Sequence, residues 1–466
     1  MGHLCFTALR HRDDTPVKLD QPLRNALEWG NLQTGVREGA YESRDDGVAG
    51  TLWLFAMANP STAKTIKSLR LKARADDALL RAKNWVSADT HVHFLSPTTA
   101  ILEGQAKGLN LVNVLAAQWG DLFTNVGDLY HTPLTSKDGE TMVWVGTENR
   151  QHLLGHLALL GGRGQPVFPM SAGGPSESYI GDPLWQGLAG WAEACHKREG
   201  LAIAVHFPYP TAELAADIVL GKIDAAELWP TGMSEQSNTL RFLDWYRYLN
   251  CGYRLPAVSG TDKMGAWIAV GTYRAYAYLG QDEFNFPNWA KAVRRGNSFI
   301  SSGPLPFFQV DGRAPGEQIQ LRAGGGKVEA RVEVKSAVPF HRVEIVLNGR
   351  VVASREDKNG LRETQLHEVI PVSGPGWIAA RCASRYLPGP ARVAAHTLPV
   401  YLTVPGQELF SPSAAAYMLT LIEGAETWAK TPAIPADVER VAKVLAVFNE
   451  APDRLHERMR RHGATR

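Results

Sequence analysis

From residue 85 onward, continuous apolar runs alternate with stretches that have a helical pattern. Apolar runs of this kind predict buried strands, and we place them at 85–87, 109–115, 142–145, 201–205 and 225–229, with the stretch 257–262 closing the series. Between them the pattern predicts helices at 98–107, 183–199, 211–220 and 239–249. Strands joined by helices favour a parallel sheet, so this part of the chain predicts an α/β fold that closes as a β/α barrel.

The flanking segments have a different pattern. Residues 1–84 contain two strand-like runs, at 51–57 and 66–71, and predict a β-rich region. Clean alternation at 328–334 and 343–347, followed by Asn348-Gly349, predicts a hairpin in a β-sandwich-like domain over 298–404. Helical patterns at 414–427 and 436–449 predict a helical C-terminal segment over 405–466. The barrel would then occupy residues 85–297.

Composition narrows the class of protein. The chain has 466 residues, of which 44% are hydrophobic and 21% charged, as in ordinary globular proteins. A formal net charge of +2 without a basic block gives no reason to expect a nucleic-acid partner. No apolar run approaches the roughly 20 residues of a membrane span. Without a secretory signal in this chain we expect a cytoplasmic protein, or a periplasmic one if an upstream signal was removed.

The four cysteines predict neither a disulfide framework nor a thiolate metal site. Cys5, Cys195, Cys251 and Cys382 are far apart in sequence, and no C-x-x-C occurs. Cys195 lies in a helical pattern and Cys382 in a strand pattern. Both are interpreted as small buried hydrophobic residues.

Metal-ligating side chains fall at or just beyond the predicted strand ends. They are His91, His93, Glu148, His206, Glu227 and Asp262. On a strand, His91 and His93 point to the same side, and two imidazoles there can hold one divalent cation. Because the carboxyl ends of barrel strands meet at one mouth, we expect these side chains to form a metal centre.

The same residues form an ordered series of motifs. In chain order they are Asp89-x-His91-x-His93, Gly146-Thr147-Glu148, Gly155-His156-Leu157, Val205-His206 and Gly260-Thr261-Asp262. This series resembles the PHP superfamily of metal-dependent hydrolases, which have a distorted (β/α)7 barrel. More narrowly, the chain resembles the CehA/McbA carbaryl hydrolase family over roughly residues 85 to 405. Three further stretches support the narrower resemblance: 117–121, 259–264 and 301–304.

The resemblance implies which residues bind metal. His91, His93 and Asp262 would hold one ion, Glu148 would bridge to a second, and the second site would be completed by His156 and His206. His152 competes with His156, which we prefer because the sequence that follows it fits the family's strand. Three histidines of the family pattern are missing here, around Ser96-Pro97, Gln118–Asp121 and Met264. Because those three would serve a third metal, we expect a two-metal site, or one metal if the second binds weakly. Zinc fits the ligands best, with manganese or iron as alternatives.

The implied activity is hydrolysis of an aryl carbamate or carboxylic ester, by attack of a metal-bound hydroxide on the carbonyl. Asp262 would accept the proton of the water or serve only as a ligand. Glu148 and Glu227 are further candidate catalytic residues. Glu227 and Asp121 are also candidates for supporting roles, although the simpler interpretation of each is structural, in an ion pair or a turn. Candidate substrate-binding residues are Phe94, Gln118, Trp119 and Trp229, of which the three aromatic ones could equally be packing residues. We expect a small-molecule partner, no nucleic acid or membrane, and a homodimer as the candidate oligomer.

Two other functions compete with this one. A phosphoesterase is the other common chemistry on such a barrel, but it usually needs a third metal or several Arg and Lys residues near the site. A non-catalytic metal-binding protein is the second rival, and the full two-metal ligand set argues against it. The missing third-site ligands and the aromatic neighbours favour a carbonyl substrate.

Overall fold

A computed structural model describes residues 28–30, 52–54, 80–120, 122–174, 177, 187–208, 212–233, 239–265, 268–385, 393–430 and 438–464. The chain divides into two compact units, one of residues 1–72 and 263–269, the other of residues 73–262 and 270–466. In the first unit, β1 (Glu28–Gly30) pairs antiparallel with β2 (Leu52–Leu54), which lies inside the predicted strand 51–57. The strand predicted at 66–71 lies outside the described residues.

The second unit contains the strands and helices that position the candidate site. Its described strands are β3 (Trp85–Val92), β4 (Leu111–Trp119), β5 (Leu122–Thr124), β6 (Leu134–Thr135), β7 (Met142–Gln151), β8 (Gly155–Leu160), β9 (Leu201–Ala204), β10 (Ala225–Glu227), β11 (Ala257–Val258), β12 (Arg274–Tyr278), β13 (Ser298–Ser301), β14 (Leu305–Val310), β15 (Gln318–Gln320), β16 (Gly326–Leu347), β17 (Arg350–Val372), β18 (Gly376–Ala383), β19 (Ala394–Thr397) and β20 (Val400–Thr403). Its described helices with defined bounds are α1 (Pro97–Lys107), α2 (Leu188–His196), α3 (Leu214–Val219), α4 (Thr239–Asn250), α5 (Phe286–Arg295), α6 (Pro412–Lys430) and α7 (Val438–Arg461).

The predicted PHP-like (β/α)7 barrel with separate flanking β-rich domains is wrong. Within the described residues, β3 to β20 belong to one connected mixed sheet, in which β3 pairs parallel with β4 but antiparallel with β12. The pairs β7–β8 and β8–β9 are also antiparallel. Only residues 152–154 join β7 to β8. A parallel crossover needs a dozen or more residues, so this three-residue connection allows only an antiparallel hairpin.

Several local predictions are confirmed. The apolar runs form buried strands, with β9 buried at every residue and β3 at every residue except its first. α1 ends at Lys107, where Gly108 takes a left-handed conformation. Asn348 and Gly349 both have positive φ and join β16 to β17 in a two-residue turn. Cys195 and Cys382 are buried.

The predicted strands 328–334 and 343–347 are parts of a single 22-residue strand, β16. Its pairing with β17 is irregular between Lys335 and Arg342, which is where the clean alternation of the sequence is interrupted. The domain boundaries at 297 and 404 stay predictions. In this sheet β13 pairs with both β12 and β19, so its strands continue past residue 297.

Candidate metal centre

The first group of candidate ligands consists of His91 near the end of β3, His93 just beyond that strand, and one carboxylate. His91 and His93 lie on the same face at the end of β3, with their Nε2 atoms 3.0 Å apart. Asp262 Oδ1 lies 3.4 Å from His91 Nε2 and 3.9 Å from His93 Nε2. The three ligand atoms lie within 4.8 Å of one another, so this group could hold a metal ion.

Asp89 and Gly260 bring Asp262 to the two histidines. The buried Asp89 carboxylate accepts hydrogen bonds from the Thr261 hydroxyl, from Thr261 N at 2.9 Å and from Gly271 N at 2.7 Å. A Cβ at Gly260 would lie 2.4 Å from the Cβ of His91, so only glycine allows this close approach. Burial raises the pKa of Asp89 to about 6, against the effect of these hydrogen bonds. Asp89 therefore fixes the loop that carries Asp262.

The second group of candidate ligands comes from three elements. Glu148 lies in β7, His156 lies in its hairpin partner β8, and His206 follows β9. Glu148 Oε1 is 3.1 Å from His156 Nδ1 and 3.6 Å from His206 Nε2, and the two imidazole nitrogens are 3.3 Å apart. These ligand atoms also lie within 4.8 Å of one another, so the second group could hold a metal ion as well.

Glu148 joins the two groups. Its Oε2 lies 3.2 Å from His93 Nε2, and its Oε1 lies 4.0 Å from His91 Nε2. Burial favours the neutral carboxyl, but hydrogen bonds from the neighbouring imidazoles hold the pKa of Glu148 well below its usual range. An ionised carboxylate is thus available between the two sets of imidazoles. This position suits a bridging ligand.

Glu227 supports His91 from the side opposite His93. Its Oε2 lies 2.9 Å from His91 Nδ1, and its Oε1 accepts from the backbone N of His206 at 3.3 Å. Burial alone would lower the pKa of His91, but Glu227 and the other carboxylates raise it to about 10. Protons and metal ions would therefore compete for this cluster. A carboxylate on Nδ1 fixes the tautomer that leaves Nε2 free to bind a metal.

The other two imidazoles of the cluster have pKa values shifted in opposite directions. Burial lowers the pKa of His156 despite its hydrogen bond to Glu148. Burial also acts to lower the pKa of His206, but the hydrogen bond to Glu148 and the charge of that carboxylate outweigh it and the pKa is raised. His152 is exposed and lies outside the ligand groups of the described residues, whereas His156 belongs to one of them.

Two predicted substrate-binding residues form an aromatic surface beside His93. Phe94 stacks on Trp119 with ring centroids 5.0 Å apart, and Trp119 lies edge-on to His93 at 5.2 Å. Phe94 is 48% exposed, so the pair borders open space. Gln118 donates to the carbonyl of Gly120 in its own turn.

Trp229 lies apart from this surface. It stacks on Tyr273 with ring centroids 5.8 Å apart, and the guanidinium of Arg241 lies 4.5 Å from its ring. Trp229 therefore has stacking partners within the protein, and its role in substrate binding stays a prediction. Asp121 lies outside the described residues.

Sequence reasoning missed Arg150. Its Nη1 lies 3.4 Å from Glu148 Oε2, its Nε lies 3.3 Å from Glu177 Oε2, and its guanidinium stacks on Trp119 at 5.2 Å. Because side chains two apart on a strand share a face, the spacing of Arg150 from Glu148 was the signal that could have identified it. Arg150 links the metal-ligand groups to the aromatic surface.

Comparisons with known proteins leave the function open. No family model and no curated protein matches the chain. Among solved structures, a lytic polysaccharide monooxygenase from Jonesia denitrificans is similar at 14% identity, over 19% of this chain and 61% of that one, with a TM-score of 0.15. The chain spans less than two thirds of that protein, and so low a TM-score carries no argument. Over the described residues, no helix combines the length and apolarity needed to cross a bilayer.

Proposed function

We propose that this protein is a metal-dependent hydrolase that cleaves an aryl carbamate or carboxylic ester with two zinc ions. The observation that carries the proposal is the meeting of two ligand groups at one carboxylate, Glu148. Imidazole and carboxylate ligands suit zinc, with manganese and iron as alternatives. Bound divalent cations of this kind lower the pKa of water and polarise a carbonyl oxygen.

The ligand carboxylates differ in access to solvent, and this difference suggests their roles. Asp262 has a side chain that is 25% exposed, whereas that of Glu148 is 2% exposed. Asp262 is therefore the candidate acceptor for the proton of an attacking water, because it borders the space that substrate would enter. Glu148 holds the two ligand groups together. Glu227 acts through His91 and is a positioning residue.

The aromatic surface supports the choice of an aryl substrate. Phe94 and Trp119 lie directly beside His93, and about half of Phe94 is exposed. An aryl ring that stacks on this pair would place its ester or carbamate carbonyl close to the ligand groups. An aryl alcohol is a good leaving group, so the reaction does not depend on a strong general acid.

A phosphoesterase is the second candidate, and Arg150 is the observation that favours it. A guanidinium next to the ligand groups could neutralise a phosphoryl oxygen. However, Arg150 is already paired with Glu148 and Glu177, which reduces its capacity to bind another anion. The carbonyl substrate is therefore the better supported of the two.

One panel of substrates distinguishes these functions. The zinc-loaded protein is offered a naphthyl carbamate, a naphthyl ester and a nitrophenyl phosphate, and its metal content is measured in parallel. We expect turnover of the carbamate or the ester. Turnover of the phosphate alone would instead establish the phosphoesterase. Stoichiometric metal with no turnover of any substrate would favour a non-catalytic metal-binding protein.

A further inference from the structure

A cavity with charged side chains in its wall lies among α4, β16, β18 and the residues that follow β18, and none of its described lining residues belongs to the ligand groups. Its volume is about 120 Å³. Its described lining includes Phe242, Arg342, Glu344, Arg381, Cys382 and Arg385. We call it the arginine cavity. Three guanidiniums around so small a space repel one another unless anions lie between them.

The carboxylates of the described residues only partly balance these charges. Glu344 pairs with Arg342 and lies 2.6 Å from Arg381 Nε. Glu356, outside the cavity, lies 3.4 Å from Arg385 Nη1 and 3.7 Å from Arg342 Nη1. Three cations therefore share two anions. In addition, Arg342 Nε is buried and has no hydrogen-bond partner among the residues that the structure describes, which is costly for a charged group.

Arg381 is held rigidly by groups behind the cavity. It donates to the hydroxyl of Tyr246 at 3.2 Å, and that hydroxyl lies 2.6 Å from His396 Nε2. His396 Nδ1 lies 2.6 Å from the carbonyl of Thr397. Burial lowers the pKa of His396 to about 3, so it is neutral, and its Nε2 accepts the hydrogen of Tyr246. The Tyr246 oxygen therefore accepts the hydrogen bond from Arg381. This contact orders the guanidinium but does not neutralise its charge.

We propose that the arginine cavity binds a small oxyanion, either a phosphate or a short carboxylate. The surplus of guanidiniums among the described residues supplies the charge, and the half-exposed Arg385 supplies hydrogen-bond donors. The size of the cavity restricts the ligand, because an apolar cavity of ~150 Å³ accommodates benzene. This site is independent of the proposed hydrolase activity, and nothing in its argument depends on bound metal.

Arg385 offers the clearest test, because its side chain is 48% exposed and its described ion pair is the one with Glu356. Calorimetry on the metal-loaded protein would measure binding of inorganic phosphate, acetate and the neutral analogue acetamide. We expect phosphate or acetate to bind and acetamide not to bind. Arg385→Met should weaken the anion by about tenfold or more, the size expected when one charge-assisted hydrogen bond is lost. Arg385→Lys should weaken it less.

Arg331→Met is the matched control. Arg331 is also an exposed arginine of the same sheet, it pairs with Glu329, and it lies outside the described lining of the cavity. Anions that bind to the metal ions would give the same signal in both variants, so only the difference between them reports on the cavity. Identical isotherms for Arg385→Met and Arg331→Met, or no anion bound by the wild-type protein, would overturn the proposal.

Discussion

At the scale of single residues, the candidate centre is a set of ligands and a set of residues that hold them. His91, His93 and Glu148 supply ligand atoms, whereas Asp89 and Glu227 supply hydrogen bonds to the ligands or to the loop that carries one. Replacing the two kinds of residue should therefore have different effects on metal binding. Loss of a ligand removes a metal, and loss of a supporting hydrogen bond weakens its binding.

Replacing a ligand tests the centre directly. We expect His91→Ala to lose at least one bound metal ion and the proposed hydrolase activity, because His91 Nε2 lies within 3.4 Å of ligand atoms of both His93 and Asp262. Far-UV circular dichroism should stay unchanged, since the surrounding strands are held by apolar contacts. Metal content measured by mass spectrometry is the readout. His367→Ala, at an exposed histidine on β17, should keep the full metal content.

Replacing Glu227, which supports His91, should weaken metal binding without abolishing it. Glu227→Gln keeps the shape of the side chain but removes the charge beside His91 Nδ1. We expect zinc affinity to fall by about 10- to 100-fold, as is usual when such a partner is changed. Competition with a chromogenic chelator measures it. Glu193→Gln, at an exposed carboxylate paired with Lys222, is the control, and equal affinities in the two variants would contradict the supporting role.

The aromatic surface has its own test. Trp119→Ala removes the ring that stacks on Phe94, so KM for a naphthyl ester should rise about three- to tenfold, the range expected from one aromatic pair. The corresponding methyl ester lacks the aryl ring, and its KM should hardly change. Metal content should also stay the same. An equal rise in KM for both esters would show that Trp119 acts by packing alone.

At the scale of secondary-structure elements, two buried carboxyl groups lie four residues apart, Glu213 immediately before α3 and Asp217 within it. Glu213 Oε1 accepts from Ala189 N at the start of α2, at 2.9 Å, while both carboxylate oxygens of Asp217 are buried and have no hydrogen-bond partner in the described part of the chain. Burial raises the pKa of Glu213 to about 7, and burial together with the charge of Glu213 raises that of Asp217 well above its usual value. Two neighbouring buried acids cannot both ionise without cost.

This pair makes stability depend on pH. A carboxyl whose pKa is raised on folding holds its proton in the native state after the unfolded chain has lost it, so its contribution to stability falls as pH rises from about 4 through the folded pKa. Asp217→Asn removes this ionisable group and therefore removes its share of the decrease in stability at higher pH. We expect the variant to gain stability relative to wild type as pH increases from 4 to 8, measured by urea unfolding.

The control for the pH dependence is Glu439→Gln, at an exposed carboxylate on α7. Its stability relative to wild type should not change over the same pH range. Comparing each variant with wild type at the same pH removes any shared contribution from bound metal. A constant difference for Asp217→Asn would contradict the role assigned to the buried pair.

At the scale of the whole molecule, the candidate centre is made by elements distant in sequence. His91 from β3, Glu148 from β7 and Asp262 after β11 meet in one cluster. A metal held there would bind only when these parts are assembled, so binding should stabilise the folded state.

Metal removal tests this consequence. Treatment with a strong chelator should lower Tm, and added zinc should restore it. A ligand at a thousandfold excess over its Kd contributes about 4 kcal/mol to stability. Differential scanning calorimetry is the measurement, and the His91→Ala variant should show a smaller response to both treatments. If neither the chelator nor added zinc changes the Tm of the wild-type protein, the cluster does not hold a metal ion that stabilises the fold.

The sequence by itself determined what depends on neighbours along the chain. Apolar runs specified β3 and β9, Gly108 marked the end of α1, and Asn348-Gly349 specified a hairpin, because these features depend on local backbone preferences. Tertiary structure decided which strands pair. The hairpin of β7 with β8 and the antiparallel pairing of β12 with β3 make the sheet mixed, whereas the sequence predicted a parallel sheet. Pairing is decided by packing between distant segments, so local periodicity cannot specify it. For the same reason only the fold shows Glu148 between two ligand groups and three arginines around one cavity.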